Sequence, residues 1–418
     1  MILLNRFQEY LDTLKTDYTI ATRVDFLYPD DTVVYSITED AIQDGSTLNV
    51  EHQTGTRRTA TLVLDNWANT YDLHPDKFWF GQKLRILQGV YLPDGSPYLL
   101  PQGVFYITNP TEVFAPSTRT MTFALTDKWA YLDGTMFGNI GGTYILAVGN
   151  NLFAAIAQLL LTDRGNGEPL DRTPPILAAD YLDKWYTVGT ETYRYLDCPY
   201  TAKISGTYGN VLEEINTMLV SRMGYDVMGQ LRVESANADI DENRLPVLWH
   251  FAMDEKELLG LNTVTNMQGF FNHFVVTGGI LNGRIAKGEA LDTDVNSPTC
   301  MARIGKKSAP VEEQPKFYAD TQCAELAKFR LRTSQRIGTE VTIESAPLFH
   351  LQENALVTVN RNGLRIPYLV NGWSQPLGQT GIMTISASKL TLPTENVYLA
   401  PQSVSYQLGT FYSGYRPF

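Results

Sequence analysis

Two stretches of this sequence place side-chain oxygens at alternate positions, the arrangement with which a loop converges on a calcium ion. They are Asp239-Ile-Asp241-Glu-Asn243 and Asp292-Thr-Asp294-Val-Asn296. Both depart from the rest of the pattern: the sixth position, which calls for Gly, holds Arg244 or Ser297, and the twelfth, where a bidentate Glu closes the site, holds His250 or Arg303. Solvated loops are expected at both, and no metal is assigned. The five histidines, His52, His74, His250, His273 and His350, are scattered, and none stands three to five residues from another His or Cys as a zinc site requires. Each is expected to be solvated or satisfied within a core. Glu213-Glu214 would offer two carboxylates for glycosidic cleavage, but neighbours on a helix point apart, so a capping or surface role is expected. The Gly-x-Ser-x-Gly elbow, the Gly-x-x-x-x-Gly-Lys phosphate loop and the dinucleotide Gly-x-Gly-x-x-Gly are missing. No catalytic residue and no cofactor are therefore assigned.

At 418 residues the chain is too long for a single core, and about three domains are expected. Apolar residues at 44% and charged residues at 19% are those of an ordinary folded protein, while 32 Gly and 23 Tyr lean it towards β-structure. The net charge of −12, from 45 acidic and 33 basic residues, disfavours nucleic-acid binding, whose affinity comes from a basic face. Cys198, Cys300 and Cys323 are odd in number and far apart, which points to buried free thiols and folding in a reducing compartment. Met1-Ile-Leu-Leu gives way at once to Asn5-Arg6-Phe7-Gln8-Glu9, so no signal peptide is expected. The most apolar stretch, Tyr144 to Leu161, is broken by Gly149-Asn150-Asn151. Its continuous part falls well short of the ~20 residues that span a bilayer, and a buried helix is expected in place of a membrane anchor.

The elements that position these residues follow two periodicities. Leu4, Phe7, Leu11 and Leu14 recur at helical spacing and predict a short docking helix within residues 1–19. Alternation then takes over in Thr59 to Leu64, Leu84 to Leu87, Gly103 to Thr108 and Thr120 to Thr126, read as successive strands of a barrel over residues 20–133. Pro93-Asp-Gly-Ser-Pro97 is a hairpin tip: Pro fixes φ, Asp caps its own turn and Gly accepts a positive φ. Residues 134–262 read as a mixed α+β unit with helices at Asn151 to Leu161 and Val211 to Val220, followed by two short strands about Gly229-Gln230. A second β domain with an inserted loop and a helix from Phe317 to Leu331 occupies 263–390, and an aromatic-rich tail 391–418.

The second β region repeats the order of the first. Gly81 to Ile86, Gly103 to Thr108 and Thr120 to Leu125 find counterparts in Glu353 to Val359, Pro367 to Gly372 and Gly381 to Ser386. The expected fold is α+β, mainly β: two related split β-barrel domains flanking a mixed middle region.

The succession Phe271-Asn-His-Phe-Val-Val-Thr-Gly-Gly279, Arg303-Ile-Gly305, Ala324 to Leu331 and the closing strands resembles the phage tail hub family. That family includes the baseplate hub protein of contractile-tailed phages and the N-terminal part of tail-associated lysins. Asp44-Gly45-Ser46, Leu64-Asp65-Asn66, Phe80-Gly-Gln-Lys-Leu, Gln102 to Ile107 and Asp127-Lys-Trp-Ala-Tyr-Leu-Asp-Gly134 follow the family's order, so the resemblance runs from about Ile20 to Leu390. It implies two related barrels per subunit, a homotrimer, and a pseudo-sixfold collar that meets a six-fold tail tube or distal tail ring protein. A spike, fibre or other tip protein lies below, a tape measure protein is a possible neighbour, and DNA passes only in transit. The location implied is the virion tail tip, assembled in a host cytoplasm. The lysins' peptidoglycan-cleaving domain has no counterpart before Phe418, so that activity is not carried over. In its place come Tyr398, Tyr406, Phe411, Tyr412, Tyr415 and Phe418 among few charges, expected to form a partner-binding surface unless they complete a barrel strand.

Two other functions fit the composition. A glycan-binding or glycan-cleaving β-protein of the virion or cell surface would use the aromatics as sugar platforms, and would show two facing carboxylates in a cleft. A six-fold ring protein beside the tube would share the location but form a hexamer and lack the helical middle.

Overall fold

The computed structural model describes residues 2–52, 55–74, 79, 81–177, 185–188, 190–235, 247–252, 258–264, 270–281, 283–337, 340–353, 355–361 and 364–389. Strands account for 47% and helices for 17%, which makes the chain mainly β. The N-terminal stripe forms α1 (Ile2–Leu14), and seven strands follow: β1 (Ile20–Leu27), β2 (Val33–Thr38), β3 (Thr47–Glu51), β4 (Arg58–Asp65), β5 (Lys83–Tyr91), β6 (Pro97–Ala115) and β7 (Thr118–Asp127). The middle of the chain holds β8 (Tyr144–Leu146), α2 (Leu152–Leu160), β9 (Ile176–Leu177), β10 (Trp185–Val188), β11 (Glu191–Arg194), β12 (Ala202–Ile204), α3 (Tyr208–Leu219), β13 (Ser221–Tyr225) and β14 (Leu231–Ser235). Then come β15 (Val247–Phe251), β16 (Leu258–Val264), β17 (His273–Leu281), β18 (Arg284–Leu291), α4 (Met301–Ile304) and β19 (Glu312–Glu313). The chain continues through α5 (Asp320–Ile337), β20 (Glu340–Ser345), β21 (Leu356–Arg361), β22 (Leu364–Pro376) and β23 (Met383–Lys389).

Local chemistry explains the boundaries. In β4 the alternation turns Ala60, Leu62 and Leu64 inward and leaves Thr59 and Asp65 exposed. At the β5–β6 turn Asp94 Oδ1 accepts from the Ser96 amide at 2.9 Å, and Gly95 takes φ 80°, as the turn residues foretold. Helix α2 is capped by Asn151, whose side chain accepts from the Ala154 amide, and α3 by a Thr207–Asn210 capping box. The helix expected from Phe317 starts three residues later, at Asp320. Phe317 precedes it as a core plug, only 2% exposed.

Thirteen strands share one sheet, in the order β16-β20-β23-β22-β3-β4-β7-β6-β5-β1-β2, with β21 on β22 and β15 on β21. Of the strand pairs described in it, only β15–β21 is parallel. The path is open, and no closed barrel forms among the described residues. Within it two sets of five share one connectivity: β3-β4-β7-β6-β5 and β16-β20-β23-β22-β21 are each built from strands that occur in the same chain order and pair antiparallel throughout. A one-residue bulge falls at the same place in both, between Ile107 and Asn109 on β6 and between Val370 and Gly372 on β22. The segments paired in the sequence, around Leu84 and Leu356, are the corresponding strands β5 and β21.

The two sets meet where β22 pairs with β3, Gly372 opposite Glu51 through Pro376 opposite Thr47. Gly372 is required there, because a Cβ would lie 2.3 Å from the Val50 carbonyl oxygen. Behind the junction Gln88, Gln102 and Gln375 are almost fully buried; Gln375 donates to Gln88 at 2.7 Å, and Gln88 to the Pro376 carbonyl at 2.9 Å. One apolar core, including Leu62, Phe123, Val357 and Ile385, runs under both sets.

Two further cores flank it. One packs α2 and α3 on Met223 and Val233. The other packs α5 on the β18-β17-β19 sheet, around Val276, Phe317 and Cys323. The strand begun by Phe271 to Gly279 thus belongs to this small sheet and not to the large one.

Helix α1 is held by Tyr10, fully buried and stacked on Tyr98. His350 Nε2 donates to the Leu248 carbonyl at 3.1 Å, so its Nδ1 accepts from the Tyr10 hydroxyl at 3.0 Å. Burial lowers the His350 pKa to about 4. A lowered folded-state value favours the neutral ring, so this stabilisation is present above about pH 6.5 and lost as pH falls towards 4. His350→Gln is expected to be less stable than the native chain at pH 7, with the gap narrowing by roughly 2–3 kcal/mol at pH 4, read by urea unfolding.

Candidate functional site

Most of the candidate residues disperse. Tyr398, Tyr406, Phe411, Tyr412, Tyr415 and Phe418 lie outside the described residues, as does the Asp239 to Asn243 stretch. The Asp292 loop satisfies itself: Asp292 Oδ2 accepts from the hydroxyls of Ser297 at 2.6 Å and Thr299 at 2.8 Å. Among the described residues no group of three or more His, Cys, Asp or Glu is arranged to hold a metal. Glu213 faces solvent, whereas Glu214 accepts from the Tyr200 hydroxyl at 2.6 Å and pairs with Lys316, so the two carboxylates serve different neighbours. Cys198, Cys300 and Cys323 are free and buried.

One histidine holds a contact that spacing did not reveal. His273 bonds Ser308 Oγ through Nδ1 at 2.8 Å and Glu289 through Nε2 at 2.7 Å. A serine, an imidazole and a carboxylate in series is the order of a nucleophilic relay. Here, however, Glu289 is half exposed and shares its charge with Lys306, and Ser308 bridges in parallel to His273 itself. The three side chains clamp β17, β18 and the 306–309 segment together.

The densest buried chemistry lies where the large sheet, the middle unit and the start of the second strand set converge. Asp127 ends β7, and its Oδ2 accepts from the amides of Arg57 at 2.8 Å and Arg58 at 3.0 Å, while Oδ1 accepts from that of Trp129 at 3.1 Å. Burial pushes its pKa up to about 6 against the pull of these donors and of Arg58. Arg58, 1% exposed, donates Nη1 to the Tyr225 carbonyl at 2.7 Å and forms an ion pair with Glu353. Arg57 reaches Glu234 on β14 at 3.1 Å, and Lys128 reaches Asp171 at 2.8 Å and Thr173 at 3.0 Å. Gly224 on β13 lets the strand lie on Arg57, since a Cβ would sit 2.2 Å from Arg57 Nε.

In this joint the charged groups bond to one another and to the backbone, tying β4 to β13 and β14. Sequence reasoning missed it because its carboxylates come from distant positions, as with Arg57 and Glu234, 177 residues apart. The one local signal was the pair Arg57-Arg58 at the start of β4, where Arg58 takes an inward-facing position of the alternation.

No protein-family model and no curated protein matches this sequence. Solved structures do. The 43 kDa tail protein of prophage MuSo2 from Shewanella oneidensis superposes with a TM-score of 0.54 at 12% identity, covering 88% of this chain and 98% of its own. The tail protein from Neisseria meningitidis MC58 gives 0.57 at 12% identity, covering 91% and 100%. This chain has the fold of phage tail proteins. In that tail fold the charged joint is a structural element, and its worth can be measured. Asp171→Asn leaves the Lys128 ammonium, 4% exposed, without a counter-charge, and should cost about 3–5 kcal/mol in urea unfolding. Lys128→Met combined with Asp171→Leu should recover most of that loss.

Proposed function

We propose that this chain is a non-enzymatic structural protein of a phage-type tail: the tail-tip, or baseplate, hub that closes and extends the tail tube. The observation that carries the reading is the repeated five-strand order with its matching bulge, twice in one chain. The strand sets β3 to β7 and β16 with β20 to β23 are then two related β units, and three copies present six such units to a six-fold tube or distal ring. The tail-protein fold supports this, as does the family resemblance of the sequence. The middle unit, from β8 to β14, fastened by the charged joint, passes load towards a spike or fibre, and the 391–418 segment with its aromatics is the partner surface. A tape measure protein is a further candidate partner.

DNA passes through without specific binding. Three copies triple the −12 charge, and an acidic bore offers few cations to replace the counterions of phosphate. The glycan-cleaving alternative gains nothing from Glu213 and Glu214, which serve different partners.

Light scattering tests the reading directly. Three chains per particle are expected; six would favour a tube-adjacent ring, and a chain that stays monomeric at every concentration would count against both.

A further inference from the structure

The junction of β22 with β3 has an unfilled equivalent. Superposing the two strand sets by their bulges places Gly372 to Pro376 of β22 on Asn109 to Val113 of β6, and Thr47 to Asn49 of β3 on Asn262 to Val264 of β16. In the first case the strands pair within the chain. In the second, β6 beyond Ile107 pairs only with β7, and β16 is the terminal strand of the sheet, paired only with β20, among the described residues. Both edges are exposed and carry apolar side chains: Val113 at 45% and Phe114 at 71%, Leu259 and Val264 at 55% each. Exposed edges of this kind are templates for another strand.

Resting on the hub reading, we infer that β6 of one copy pairs antiparallel with β16 of the next, remaking between chains the junction that β22 and β3 make within one. The register follows from the in-chain pair Ser374–Asn49: Thr111 stands opposite Val264, Glu112 opposite Thr263 and Val113 opposite Asn262. Asn109 replaces the Gly372 that allows close approach in the chain, so the ladder starts beyond it. The contact is heterologous, one edge meeting a different edge, so its repetition produces a ring or a filament and not an isolated two-fold dimer. A ring built this way alternates made-in-chain and made-between-chain junctions, with two β units per copy.

A short bis-maleimide tests this on the full chain. Thr111→Cys with Val264→Cys, both at exposed positions, should yield a ladder of covalent dimers and trimers on a denaturing gel. Asn49→Cys with Ser374→Cys should cross-link without a change in mass, either single variant should give no ladder, and the native chain with its buried thiols sets the background. Oligomers by light scattering with no ladder would overturn the strand pairing and leave the hub reading standing. A ladder in a six-chain particle would uphold the pairing and overturn the three-copy hub, while a persistent monomer with no ladder would overturn both. Cross-linking by Thr111→Cys alone would show a two-fold contact and overturn the pairing.

Discussion

The pairing of β3 with β22 is the contact on which the architecture depends. Each strand of a sheet edge carries unpaired amides and carbonyls that must find partners once water is excluded. Here the edge of one strand set satisfies the edge of the other, and the apolar core runs unbroken beneath both. The approach is close enough that only glycine serves at position 372. Buried glutamines from β5, β6 and β22 then join strands of both sets behind it, with donors and acceptors that tolerate one alignment. Apolar contacts alone would permit sliding; amide-to-amide bonds penalise it, because each slip strands a buried polar group.

The charged joint applies the same logic to the middle unit. Desolvating Arg58, Lys128, Asp127 and Asp171 is costly, and well-packed apolar residues would often stabilise as much. What the charges add is geometry. Arg58 bonds one strand's carbonyl while pairing with Glu353, so β4, β13 and the approach to β21 are tied through one guanidinium. For the hub proposed above, orientation matters more than a few kcal/mol of extra burial. The hydrophobic α2–α3 core supplies the stability of the unit, and the joint sets its direction.

How much of this was legible in the sequence depends on the range of the interaction. Alternation located β4, β5, β6 and β7, and helical spacing located α2 and α3, since those signals act within a few residues; the Thr207 cap, which starts α3 at Tyr208 and not at Val211, was not read from the sequence. The counterpart segments were found because repeated order survives in pattern even where identity does not. The sharing of one sheet by both strand sets was not legible, because β3 and β22 are joined across more than 300 positions and an edge looks the same whichever strand covers it. Strand β17 was grouped with its chain neighbours, whereas the apolar face of α5 draws it into a separate core. The joint stayed hidden for a related reason: a buried arginine and a surface arginine read alike until the carboxylate that faces them is known.

The in-chain junction and the open edges proposed to pair between chains differ in polarity. At the in-chain junction Leu48, Val50, Trp373 and Gln375 are all buried, and the contact forms as the chain folds. At the positions equivalent to Leu48, Trp373 and Gln375 the open edges carry Thr263, Pro110 and Glu112. A subunit must stay soluble before it meets its neighbours, and a long flat apolar edge in water invites pairing with any strand. Charge and proline on the edge guard against that, and they leave affinity to the few apolar groups, Val113, Phe114, Leu259 and Val264, that flank the ladder. A duplicated β unit can thus carry one permanent and one conditional version of the same contact, differing in a handful of side chains while the backbone geometry stays the same.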